Sequence, residues 1–112
     1  MAKREHLGEF EQLVLLAVAW LDGAGYGVTI RREIARRSGR RASVAAVYGT
    51  LDRLASKGYV STRMGEATPE RGGRAKRYYR LERAGARALM DARTTLDRMW
   101  AGLDADALPG QA

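Results

Sequence analysis

The stretch from Ser43 to Val60 (SVAAVYGTLDRLASKGYV) narrows the fold more than any other part of this chain. Ser43 is a good helix N-cap, because its hydroxyl can accept a hydrogen bond from an otherwise unpaired amide in the first turn. Val44, Val47, Leu51, Leu54 and Ala55 then recur at helical spacing and predict one apolar, core-directed face. Ser43, Ala45, Ala46, Gly49, Thr50 and Arg53 are expected on the opposite face, with Tyr48 at the border. Lys57 suits the negative end of the helix dipole, and Gly58 suits the stop. A solvated helix face ordinarily carries long charged side chains. This one is small, and Gly49 costs the helix about 1 kcal/mol relative to alanine. So thin a face lets the helix backbone come close to a groove wall.

The residues that follow predict a two-stranded hairpin. Tyr59 to Glu66 alternate loosely as a strand, and Lys76 to Leu81 suit its return, with Tyr79 directed inward alongside Leu81. Between them Thr68-Pro69-Glu70-Arg71-Gly72-Gly73 is turn chemistry, and Arg71, Arg74, Lys76 and Arg77 gather positive charge on the hairpin. Upstream, a first helix is expected over Glu9–Leu21, its two glutamates placed in the first turn where the dipole favours them. A second is expected from Tyr26 or Gly27 to Arg37, with Val28, Ile30, Ile34 and Ala35 inward and Arg31, Arg32, Glu33, Arg36 and Arg37 outward. A last helix is expected from about Arg83 to Ala101, ahead of a weak tail. Three helices and a hairpin describe an α+β, mostly helical winged helix-turn-helix. Residues 1–82 would form that unit with a loose basic N-terminal arm, and 83–112 a C-terminal dimerisation helix and tail.

Composition restricts the chemistry. The chain has 112 residues, 20 Lys and Arg against 13 Asp and Glu, and a net charge of +7, a surplus that favours a polyanionic partner. It has no cysteine, so disulfides, thiolate metal sites and cysteine nucleophiles are excluded. Its single histidine, His6, lies in the expected arm, and no carboxylate pair is flanked by a base. The sequence therefore reads as no enzyme, with no metal and no cofactor. The apolar run Leu13–Leu21 follows Glu9 and Glu11 and is far short of the roughly 20 apolar residues that span a bilayer, so it reads as a buried helix, not a signal or membrane segment. A cytoplasmic, nucleoid-associated setting is expected, consistent with the absence of cysteine.

A groove-sized helix beside a cationic hairpin suits duplex DNA. Ser43, Tyr48 and Thr50 can hydrogen-bond phosphates or base edges, Arg53 can reach a phosphate or guanine, and Ala45 and Gly49 permit close approach. Arg71, Arg74, Lys76 and Arg77 would supply affinity and salt dependence through the backbone. The competing reading is a winged helix that docks RNA or protein. RNA reading favours exposed stacking aromatics, of which only Tyr48 is evident, and a protein adaptor does not require four cations on one hairpin.

The residues also resemble a known family. Leu7-Gly8-Glu9-Phe10-Glu11-Gln12-Leu13-Val14-Leu15-Leu16-Ala17, Tyr26-Gly27, Val47-Tyr48-Gly49-Thr50-Leu51-Asp52-Arg53-Leu54, Lys57-Gly58, and Gly65-Glu66 through Arg71-Gly72-Gly73-Arg74-Ala75-Lys76-Arg77-Tyr78-Tyr79 are together similar to the PadR family of bacterial transcriptional regulators, over about residues 7 to 100. The resemblance implies a winged-helix dimer that binds promoter DNA, usually as a repressor, with Tyr48 and the cationic wing residues on the DNA. The short length resembles the small subgroup with one C-terminal dimerisation helix. Glu82 departs from the capping threonine that members often carry, which leaves the start of the last helix open.

Two features predict a dimer independently. The first helix is apolar on every side from Leu13 to Leu21, and a domain this small can cover one face, leaving Leu13, Leu16 and Trp20 for a second subunit. In the last helix Leu89, Ala92, Leu96, Met99 and Leu103 follow three- and four-residue steps, with Trp100 beside them. Two-fold symmetry would carry two recognition helices to successive major grooves of a palindrome. Some relatives with this architecture bind flat aromatic compounds between subunits through a tryptophan on the last helix, which makes Trp20 and Trp100 candidates for such a role, although tryptophans at helical spacing more often serve a core or an interface.

Overall fold

Local chemistry sets where each helix begins and ends. The computed structural model describes residues 6–65 and 75–110. Helix α1 spans Glu9–Leu21, and the Gly8 amide ahead of it donates to Glu11 Oε1 at 2.9 Å. Asp22 closes it in a left-handed conformation, φ 47°. Helix α2 spans Gly27–Ser38, with the Tyr26 amide donating to Thr29 Oγ1 at 3.0 Å. Helix α3 spans Val44–Ser56 and is capped as its sequence predicts: the Ala46 amide donates to Ser43 Oγ at 3.0 Å. Gly58, at φ 76°, turns the chain out of α3 into strand β1 (Val60–Met64). Strand β2 is Arg77–Leu81, and helix α4 is Arg83–Trp100, followed by a single 3-10 turn at Ala105–Ala107.

The two strands pair antiparallel, with Val60 opposite Leu81, Thr62 opposite Tyr79 and Met64 opposite Arg77. Both are slightly shorter than their alternation suggests. The hairpin tip, with Arg71 and Arg74, and all of the expected Met1–His6 arm but His6 lie outside the described residues. The Tyr79 amide donates to the Gly25 carbonyl at 2.9 Å, so the α1–α2 turn bridges to β2. Val14, Leu15 and Val18 of α1, Ile30 and Ile34 of α2, Val47, Leu51 and Leu54 of α3, Val60 and Tyr79 make one core.

Two positions on α3 exchange the sides expected of them. Val44 is 38% exposed, because it sits in the first turn, beyond the reach of the core. Thr50 is 2% exposed, because positions 47, 50, 51 and 54 describe the buried arc and Thr50 falls inside it by angle. On α2, Glu33 is drawn in rather than projecting: its side chain is 12% exposed and held by Arg36 and Arg37. Val28 and Ala35 are only half-buried.

Glu82 precedes α4 without capping it. Its carboxylate instead accepts from Ser61 Oγ at 2.8 Å, and its amide donates to the Tyr59 carbonyl at 2.9 Å. Helix α4 thus starts from β1, and Gly85 lets it lie there: a Cβ at Gly85 would collide with the Tyr59 carbonyl and approach Leu81 Cδ1 at 2.8 Å. Helix propensity favours alanine over glycine by about 1 kcal/mol, but a collision with backbone cannot relax cheaply. Gly85→Ala should therefore destabilise the protein by about 1–3 kcal/mol, measured by denaturant unfolding; a gain in stability would show that α4 is not held at this point.

Candidate nucleic-acid interface

The outer face of α3 is smooth. Ser43, Ala45 and Ala46 are exposed, Gly49 is half-buried, and Tyr48 is 40% exposed. A Cβ at Gly49 would have only Arg53 Nη1 nearby, at 3.8 Å, so nothing inside the chain requires glycine there. Arg53 is exposed, and its Nη2 donates to Thr50 Oγ1 at 3.0 Å. Thr50, expected on this surface, is corrected to a buried residue that holds Arg53 from beneath. Its hydroxyl serves the neighbouring guanidinium and has no free outward path.

Of the four wing cations, Lys76 and Arg77 are described, and both sit at the base of the hairpin. Lys76 Nζ lies 4.6 Å from the centre of the Tyr26 ring. Tyr26 meets Tyr78 edge to face at 5.8 Å, and the Arg63 guanidinium covers Tyr78 at 4.6 Å while donating to the Gly23 carbonyl at 3.3 Å. Two cations therefore flank a pair of rings, Lys76–Tyr26–Tyr78–Arg63, and tie the wing base to the α1–α2 turn. Each contact of this kind contributes modestly at an exposed site, but their sum orients the hairpin. Sequence reasoning missed Arg63 and Tyr26 here. The Arg63–Tyr78 pair follows from strand register, which the hairpin's long turn leaves unspecified in the sequence.

Tyr79 is 1% exposed. Burial pushes its phenol above the usual tyrosine range, opposed by Arg77 beside it. Elsewhere arginines are engaged within the chain. Arg31 Nε donates to the Ala42 carbonyl at 2.8 Å and pins the α2–α3 turn. Arg40 pairs with Glu9, and Arg36 and Arg37 share Glu33. The hydrogen bond from Arg37, with Arg36 adding to it, holds the Glu33 carboxyl below its ordinary range against the opposing effect of desolvation. A depressed carboxylate stabilises the fold above its unfolded value, and that contribution disappears as pH falls through the lowered value. Arg41 is exposed at the approach to α3.

The expected subunit-facing residues divide. Leu89 and Leu13 pack, half-buried, against the chain's own core, and Ala92 is half-buried. Leu96, Met99, Trp100 and Leu103 are 50–75% exposed along the distal part of α4 and just beyond it, and Leu16 is 45% exposed on α1. Trp20 is 61% exposed, with the Arg37 guanidinium 3.4 Å over its ring. Among the described residues no group of three His, Cys, Asp or Glu could hold a metal ion, and no helix is long and apolar enough to cross a membrane.

Residues 15–91 match the sequence pattern of the transcriptional regulator PadR-like family. No curated protein sequence matches the chain. Among solved structures, a transcriptional regulator from Clostridium thermocellum is 20% identical with a TM-score of 0.67, the match covering 80% of this chain and 81% of that one. A PadR family transcription regulator from hypervirulent Clostridium difficile is 23% identical with a TM-score of 0.65, covering 82% and 90%. Bacillus subtilis PadR in complex with operator DNA is 19% identical with a TM-score of 0.62, covering 73% of this chain and 45% of that one. At these identities the likeness is one of fold.

The wing-base ladder has a direct test. Tyr26→Leu removes both the face under Lys76 and the edge against Tyr78 and should lower unfolding free energy by about 1–2 kcal/mol. An unchanged denaturation midpoint would show that the ladder does not hold the hairpin.

Proposed function

Because the chain belongs to the PadR-like family of transcriptional regulators, we propose that it binds promoter DNA as a homodimer and represses transcription from a palindromic operator. Family members are transcriptional regulators, not enzymes. The observation that carries the DNA reading is the outer face of α3, small and uncharged from Ser43 to Gly49, ending on an Arg53 steadied by Thr50. In this reading α3 enters a major groove, where Ser43 and Tyr48 meet phosphates or base edges, Ala45 and Gly49 allow the approach, and Arg53 reaches a guanine or phosphate. Lys76 and Arg77 grip the backbone, joined by Arg71 and Arg74 outside the described residues.

Dimerisation accounts for the exposed Leu96, Met99, Trp100 and Leu103 on and beyond α4, and for Leu16 and Trp20 on α1, since so large an open apolar surface on a monomer favours association. A two-fold axis through α4 would set the recognition helices about 34 Å apart, one turn of the duplex. Trp20 and Trp100 carry the exposed ring surface for a flat aromatic effector at that interface, the Arg37 guanidinium lying over the Trp20 ring. The protein would act in the cytoplasm, at the nucleoid.

A footprint on the DNA upstream of the protein's own gene, taken across a salt series, tests this reading. A discrete, two-fold symmetric protected site that persists near physiological salt is expected. Diffuse protection that disappears with salt would oppose it, since non-specific charge alone behaves that way. Substitutions separate the parts of the interface. Gly49→Ala should raise stability by about 1 kcal/mol through helix propensity while weakening operator binding, because the added methyl meets only Arg53 Nη1 within the chain and would thicken the face offered to the groove. Arg53→Ala should reduce specific binding, whereas Lys76→Ala should weaken all duplexes alike and lower the salt slope by about 1.

A further inference from the structure

Gly27 is a glycine whose backbone does not need to be one. It opens α2 and is buried. Its φ lies outside the left-handed region, so an ordinary residue could take the same backbone conformation. Space is what excludes a side chain. A Cβ at Gly27 would fall onto the outer end of the Tyr48 ring, overlapping Cζ, Oη and Cε1. Gly49 is the counterexample on the neighbouring helix: its Cβ direction is open. One glycine thins the surface of α3, and the other makes room for a side chain that α3 sends back across α2.

Tyr48 is nevertheless 40% exposed, so the seat at the outer end of its ring leaves part of the side chain open. A tyrosine on an exposed helix face samples several rotamers, and ordering it on binding costs conformational entropy. A ring held in place before binding avoids that cost. We propose that Gly27 is a positioning residue: its bare Cα is the seat that presets the orientation in which Tyr48 is presented to DNA. This rests on the DNA reading of α3 given above. The adjacent Tyr26 carries Lys76 and Tyr78 of the wing base, so the start of α2 registers the recognition helix through one residue and the wing through the next.

The test compares wild type, Gly27→Ala, Tyr48→Ala and the double variant on the duplex that the wild-type protein enriches from a random-sequence pool, with denaturant unfolding run in parallel. Each single variant should weaken binding about tenfold, within the range of one well-placed recognition contact. The double variant should be no weaker than either, because Gly27 acts only through Tyr48. The unfolding midpoint of Gly27→Ala should stay near wild type, a pattern that a purely structural glycine would not give. Should Gly27→Ala fail to fold, folding of the double variant would support the seat, and failure of the double variant would overturn it. Wild-type affinity in Gly27→Ala, or additive losses in the double variant, would overturn the inference while leaving the DNA reading standing. If the wild-type protein enriches no duplex at all, the DNA reading fails and this inference fails with it.

Discussion

Tyr79 is the residue on which the arrangement of the other elements depends. Its side chain is 1% exposed in the core that α1, α2 and α3 build, and its amide bonds to the Gly25 carbonyl. A two-stranded hairpin is marginal by itself, and here burial of one large aromatic ring joins it to the helices. The same backbone bridge fixes the α1–α2 turn, and the turn delivers Tyr26 to the wing base and Gly27 to Tyr48.

The surplus of positive charge is divided between structural work and display. Arg31 holds the α2–α3 turn, Arg40 pairs with Glu9, Arg36 and Arg37 share Glu33, and Arg63 stacks on Tyr78. A net charge of +7 therefore overstates how many guanidiniums are unengaged. The outer face of α3 is distinguished by its geometry: small side chains outward around Tyr48, Arg53 bonded to a buried hydroxyl, and the outer end of the Tyr48 ring lying over the bare Cα of Gly27.

The apolar surface left open has a distinct location. Along α4 and just beyond it, Leu89 turns into the core while Leu96, Met99, Trp100 and Leu103 do not. Helix α1 has the same two-sidedness, with Val14, Leu15 and Val18 buried and Leu16 and Trp20 exposed. Helices with apolar residues all round have to be covered all round, and a chain of this size has only enough layers to cover one side.

The amino-acid sequence by itself determined the elements and most of the core. Ser43 caps α3, Gly58 ends it, and the spacing of Val47, Leu51 and Leu54 sets the buried face, because caps and periodicity act over three or four residues. It also made the thin face of α3 legible, since the side-chain sizes there are a property of the sequence alone. Polarity suggests an outward position for Thr50, whereas helical angle and the packing of α1 and α2 around α3 bury it. Only the tertiary structure decided that Arg63 meets Tyr78, that Glu33 is shared by two arginines, and that Gly27 makes room for Tyr48. The first depends on strand register and the last on the crossing of two helices. Neither register nor crossing is written in local spacing, because both are set by how distant side chains fill one common volume.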